Sequence, residues 1–485
     1  MIKRFLLFAL ILLLLIPSRT AQAQTATPPV TPAASPELTP TPVSGPVYII
    51  QSGDSLSTIA SRFGISLNDL MSANNITDPN NISAGAQVII PGLEGISGVL
   101  GTELIDYGDT LTSLGRRFQV DTGFLRKLNH ITSPSELYAG VGLVLPQKQD
   151  GSALTRKLVL APGESLLEAA VRENSDPWTI ARVNNLAGTW DGQPGDVLYE
   201  PGESASTGKT PSNGLPSAFL KIKVDPLPMI QGGTSEINIQ TGPGVTLAGT
   251  LVYMPLHFFP MDDGSFTALQ GIYAMLEPGP YPLRVEATLP DGTKQSFEQM
   301  VVVQSGYYPN DPLLLVEADT IDPAVTEPEL KQIVSLTAPA SPVRHWSGIF
   351  QSPSYFNDCF TSRYGNRRTY LGSGTEQKIY SFHSGLDFCG GEGLPISAPA
   401  DGVVIFAGPL TVRGNATIID HGWGVYTGIW HQSEIKVTVG QEVKKGDVIG
   451  AVGGTGRVTG AHLHWEVWVN GIQVNPMDWL NNIYP

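Results

Sequence analysis

The chain has 485 residues, too many for one ordinary hydrophobic core, so several domains are expected. Its formal net charge is −15, which argues against nucleic acid or an anionic membrane surface as the main partner. Only two cysteines occur, Cys359 and Cys389.

Residues 1–24 read as an export signal. Lys3 and Arg4 precede the short apolar run Phe5 to Ile16, Pro17 and Ser18 break it, and Ala21-Gln22-Ala23 fits a cleavage site. The run is shorter than the roughly 20 residues a membrane span needs, so a secreted or otherwise extracytoplasmic protein is expected, with no stable membrane insertion after cleavage. An uncleaved anchor is the alternative. Residues 25–46, rich in Thr and Pro, lack the apolar side chains to build a core and read as a stiff extended linker.

A repeat follows. "SGDSLSTIASRFGISLNDLMSANN" is echoed by "YGDTLTSLGRRFQVDTGFLRKLNH" and "PGESLLEAAVRENSDPWTIARVNN". Landmarks keep one step: Gly53, Gly108 and Gly163; Asn74, Asn129 and Asn184; Gly85, Gly140 and Gly195. Each copy predicts a short strand, a helix capped by Ser55, Thr110 or Ser165, a second helix and a closing strand. In the first helix Leu56, Ile59, Ala60 and Phe63 fall on one face. The copies, at 47–92, 102–147 and 156–202, resemble LysM domains, the third more weakly because Glu164 replaces Asp. That resemblance implies a partner containing N-acetylglucosamine, held in a shallow groove between two loops. The implied contacts are Gly53, Asp54, Ser55, Ile76 and Ile82 in the first copy, and Gly108, Asp109 and Thr110 in the second. For Asp54 and Ser55 helix capping is an equally good account.

Residues 216–305 alternate or run apolar between Gly, Pro and Asp turns, with no helical stretch, and predict an all-β, immunoglobulin-like sandwich acting as a spacer. Residues 306–349 read as a linker and lead-in, with a short helix near Pro323 to Leu336.

The chemistry concentrates in residues 350–485. His383 lies four residues before Asp387 in "HSGLDF", and His462 and His464 alternate in "HLHWEV", so the latter two project side by side from a strand. Two imidazoles and a carboxylate make an open zinc site with one position left for water. "TSRYGNR", "HSGLDF", "PISAPADGVVIFAG", "ATIIDHGWGVYTGIWH" and "VGQEVKKGDVIGAVGGTGRVTGAHLHWEV" occur in one order. Together they are very similar to the lysostaphin-type, LytM-like zinc endopeptidases, with a mainly antiparallel β domain. The resemblance implies His383, Asp387 and His464 as ligands of one Zn²⁺, with His431 and His462 catalytic. Ile429 and Gln432 depart from the family's usual residues around the central histidine, and His421 is expected to be packing. The two cysteines suggest a disulfide, with a Cys389 thiolate ligand as the competing reading.

These readings describe a multidomain chain of β-α-α-β repeats, a sandwich and a β peptidase domain. The expected function is cleavage of peptidoglycan peptide crosslinks by a zinc-activated water. The alternative is a non-catalytic peptidoglycan-binding scaffold or an activator of other wall hydrolases. The Gly-rich turns alone also resemble those of lipoyl carriers, although no lysine stands at a carrier hairpin tip.

Overall fold

A computed structural model describes residues 45–93, 96, 98–147, 154, 156–161, 163–201 and 215–485. The signal expected at 1–24 and the linker up to residue 44 lie outside the described residues. Among the described residues no helix is long and apolar enough to cross a membrane.

The repeat landmarks have physical causes. Ser55, Thr110 and Ser165 accept hydrogen bonds from Thr58, Ser113 and Glu168 N–H and close capping boxes at three helix starts. Asn74 clips its helix to the closing strand: its amide donates to the Leu70 and Ile89 carbonyls and accepts from Ile89 N–H. Asn129 and Asn184 do the same in the other copies. Leu56, Ile59, Ala60 and Phe63 are all buried, as their spacing predicts. The third copy has the same order, Arg156–Val159, Leu166–Arg172, Pro177–Val183 and Val197–Glu200.

The copies are joined to one another. Val47–Ile49 of the first runs parallel to Val99–Leu104 of the second within one four-stranded sheet. Arg116 of the second copy pairs with Asp196 of the third at 3.0 Å.

Residues 219–304 form two sheets, of five and four strands, over a shared core that includes Phe219, Ile237, Ala268, Val285 and Val301. All pairings are antiparallel except that of Met229–Ile230 with Lys294–Gln304. This unit is no loose spacer. On one side Tyr107 Oη donates to the Leu283 carbonyl at 2.7 Å, and Ala139 N–H donates to Met300 at 2.9 Å. On the other, Phe259 stacks on Trp423 with centroids 4.8 Å apart, and Phe259, Leu269 and Ala274 belong to the C-terminal core. A period-2 pattern says which strand face is buried but not against which neighbour, so this docking was not readable from sequence.

The C-terminal domain is built on an eight-stranded, antiparallel sheet. Leu386–Phe388 pairs with Leu463–Val469, which pairs in turn with Val425–Gln432. Leu386, Phe388, Ile429, Leu463, Trp465 and Val467 fill its core. The expected linker at 306–349 is instead part of this domain. Leu314–Val316 pairs with Arg367–Gly372. The helix Pro323–Thr337 buries Ile333 against Ala416, Ile418, Tyr426 and Trp430. Its Glu329, also buried, accepts from Val412 N–H at 2.7 Å and pairs with Arg413 at 3.0 Å. Cys359 and Cys389 form a disulfide with Cα atoms 5.5 Å apart, so Cys389 is not a thiolate ligand.

Candidate active site

Strand register brings the expected metal-binding residues together. Asp387 lies directly across from His464 in the pairing of their strands, and His464 lies across from Trp430 on its other side. His383 enters by a tight turn. Gly385 must be glycine there, because a Cβ would collide with the Trp465 carbonyl and the His464 ring. His431 takes a left-handed conformation, φ +62°, where the register shifts between Asn415 and Thr417. That bulge re-aims a side chain at the end of a buried strand.

Asp387 Oδ1 is the hub. It lies 3.0 Å from His383 Nε2, 2.7 Å from His464 Nδ1 and 3.5 Å from His462 Nε2. His383 Nε2 and His464 Nδ1 are 3.1 Å apart. Ligands about 2.0–2.1 Å from a tetrahedral ion stand about 3.3 Å from one another, so the three residues fit one divalent cation. The outer hydrogen bonds fix the tautomers to suit. His383 Nδ1 donates to the Arg363 carbonyl at 2.7 Å, and His464 Nε2 faces Glu466 Oε1 at 3.3 Å. A lone pair is thereby left on each inward nitrogen.

His431 and His462 stand beside this cluster, ring centroids 5.1 Å apart. Nδ1 of His431 donates to the Thr455 carbonyl at 2.7 Å, and Nδ1 of His462 to the Gly460 carbonyl at 2.8 Å. Both Nε2 atoms are therefore proton acceptors. Together the five residues line a cleft of about 1310 Å³.

The electrostatics follow from burial and from this hub. Burial works to raise the Asp387 pKa, but the imidazoles of His383 and His464 hold it well below the carboxylate range. Burial lowers His383, whereas Asp387 and Glu466 outweigh burial at His464 and raise it. His431 is pushed down to about 3 by burial and the neighbouring imidazoles, so it rests neutral rather than titrating near neutrality.

Three further expectations concern packing. His421 is a buried structural histidine, bound to the Asp401 carbonyl at 2.7 Å and Thr427 Oγ1 at 2.9 Å. Ile429 lies in the core and Gln432 donates to Thr417 Oγ1, so neither unusual residue lines the cleft. In the first repeat Gly53 is exposed and Asp54, Ser55, Ile76 and Ile82 are partly exposed. The Asp54 carboxylate, however, is taken by Tyr48 Oη and Gln51 N–H, each at 2.8 Å. In the second repeat Gly108 and Asp109 are buried, and Gly108 N–H donates to Gln299 of the sandwich at 2.6 Å. Those two are therefore not open to a sugar, Gly108 because the docked sandwich covers it and Asp109 because it is buried; Thr110 stays partly exposed.

Sequence reasoning missed Glu466 and Arg368. Glu466 stands two residues after His464 on the same strand face, so the alternation that grouped the histidines would have found it. Arg368 reaches Asp387 Oδ2 at 3.3 Å from a distant strand, and no local pattern marks it.

The model of peptidase family M23 matches residues 381–476, which hold all five of these residues. The C-terminal domain belongs to peptidase family M23. LysM domain models match residues 48–91 and 105–146. The M23 segment is similar to DD-carboxypeptidase/endopeptidase Mpg of Neisseria meningitidis, 45% identical over 98 residues, 20% of this chain and 23% of that one. It is similar also to peptidoglycan DD-endopeptidase ShyA of Vibrio cholerae, 44% identical over 95 residues, covering 20% of this chain and 22% of that one. The chain thus spans about a quarter of the length of these curated relatives. Among solved structures, the catalytic domain of the antimicrobial peptidase lysostaphin from Staphylococcus simulans is matched at 28% identity and a TM-score of 0.21. That match covers 28% of this chain and 90% of that one.

Proposed function

We propose that this chain is an exported zinc endopeptidase that cuts peptide crosslinks of peptidoglycan while its LysM repeats grip the glycan. The observation that carries the reading is the convergence of His383 Nε2, Asp387 Oδ1 and His464 Nδ1 within 3.1 Å, each tautomer set by an outer hydrogen bond. When bound there, zinc supplies Lewis acidity toward an amide carbonyl and toward water. The N/N/O donor set suits it.

The chain's own residues handle the proton. Attack of water forms the new C–O bond, and breaking the C–N bond requires a proton on the departing amine. His431 and His462 each present an unprotonated Nε2 to the cleft to accept the proton of the attacking water. Burial makes imidazolium unfavourable at His431, so its ring rests neutral with Nε2 open to the cleft. Arg368 holds Asp387 Oδ2, which leaves Oδ1 facing His383 Nε2 and His464 Nδ1, where it would serve as a ligand. Sugar binding falls to the exposed loops, Gly53 to Ser55 with Ile76 and Ile82. The sandwich, which we read as immunoglobulin-like, fixes the repeats to the peptidase domain.

The test combines the zinc content of purified full-length protein with mass spectrometry of muropeptides released from walls of known crosslink type. One equivalent of zinc with crosslink-derived products supports the reading. Glycan binding with neither zinc nor release replaces it with a scaffold.

A further inference from the structure

The cleft runs from the histidines past Tyr370 to the helix Pro323–Thr337, and four arginines line it. Arg367 is solvent-exposed. Arg368 is paired with Asp311 at 3.0 Å and Asp387 at 3.3 Å, and Arg413 with Glu329 at 3.0 Å. Arg457 is different. It is partly buried, and no carboxylate among the described residues lies within ion-pairing distance of it. Its guanidinium sits 4.4 Å over the Tyr370 ring and gives one hydrogen bond, Nη1 to the Thr320 carbonyl at 3.2 Å. Its remaining N–H groups have no protein partner among the described residues.

Taking a cation partly out of water without an anion is unfavourable unless something else supplies the charge. Carboxylates that line the cleft serve other groups: Asp311 and Asp387 pair with Arg368, and Glu329 behind it pairs with Arg413, none within ion-pairing distance of Arg457. Position matters as well. Arg457 N–H is tied to the Val412 carbonyl at 2.8 Å, and Thr455, two residues earlier, holds the His431 ring. One short loop therefore sets both an imidazole of the active site and the unpaired guanidinium.

We propose that Arg457 is the carboxylate-binding residue of the substrate cleft, selecting crosslinked peptides with a free carboxylate close to the scissile amide. This rests on the hydrolase reading above. The planar guanidinium matches a carboxylate through two parallel N–H···O bonds, which neither an amide nor an ester offers in return. Tyr370 keeps the plane fixed beneath the incoming group.

Two probes test this: a crosslinked stem-peptide dimer with a free terminal carboxylate, and the same dimer amidated at that position. Turnover is followed with zinc-loaded full-length protein and binding with metal-free protein. Wild type is expected to favour the free acid by about 10- to 100-fold in kcat/KM and in Kd. Arg457→Gln should use the acid and the amide equally, with Tm unchanged; Arg457→Lys should keep part of the preference. Equal use of both dimers by wild type, or an unaltered preference in Arg457→Gln, overturns the proposal. So does an equal loss on both dimers with a lowered Tm, which would mean that Arg457 only pins Thr320. Binding preference without turnover would leave Arg457 as the carboxylate anchor and refute the hydrolase reading instead.

Discussion

Glu466→Gln changes one charge at nearly constant shape, and the structure sets its consequences. Glu466 is buried; Oε1 accepts from Ser384 Oγ and faces His464 Nε2 at 3.3 Å, while Oε2 accepts from Trp468 Nε1 at 2.8 Å. Glutamine keeps one acceptor oxygen, so its amide N–H must face one of these donors. Burial alone would raise the Glu466 pKa, but the hydrogen bond and charge of His464, with Arg413, bring it from 4.5 to about 2. A depression of that size corresponds to roughly 3 kcal/mol. The folded pKa lies below the unfolded one, so this stability is present above pH 4.5 and is lost as pH falls from 4.5 toward 2. Glu466→Gln should therefore lower the urea stability of the metal-free protein by roughly 3 kcal/mol at pH 7, and by much less near pH 2. Zinc affinity, measured by competition with a chromophoric chelator at pH 7, should fall about 10- to 100-fold, because the outer partner of His464 is lost. Unchanged affinity together with a pH-independent stability difference would refute the reasoning.

Other outcomes are equally specific. His383→Ala or His464→Ala should abolish zinc binding by atomic absorption, whereas His431→Ala or His462→Ala should retain zinc and lose turnover. Ile333→Ala removes a fully buried side chain from the Trp430 cluster and should cost about 2–5 kcal/mol in urea unfolding followed by tryptophan fluorescence. A loss under about 1 kcal/mol would return that helix to the status of a tether. Cys359→Ser with Cys389→Ser opens a loop of sequence separation 30 and should cost about 4 kcal/mol in the chain-entropy account, read from thermal unfolding. Ile82→Asp should weaken binding of an N-acetylglucosamine tetrasaccharide in calorimetry, while Gln299→Ala, at the sandwich face over the second repeat, should not.

The sequence displayed the pieces better than their junctions. Repeat landmarks were legible because each acts on its own neighbours. Ser55 caps, Asn74 clips, and Gly85 turns with φ +86°. The five residues of the site were legible through alternation along one strand and through a resemblance carried by several ordered motifs. What escaped depends on contacts distant along the chain. Nothing in "PAVTEPELKQIVSL" announces that Glu329 will meet Arg413, 84 residues on. Gly108 looked like a sugar-loop glycine because its own repeat demands that turn, and only the docked strand of the sandwich hides it. The low basicity of His431 escaped as well, because burial, its cause, is not written in the residue's sequence neighbours.

The Phe259–Trp423 stack has a practical corollary. A fragment cut at residue 350 would remove Phe259 and Trp346 from Trp423, Ile333 from Trp430 and Glu329 from Arg413, exposing part of each indole and leaving the guanidinium without its carboxylate. A piece that begins upstream of Phe259 keeps these contacts dry, and a fragment trimmed to residue 350 should be more prone to aggregate.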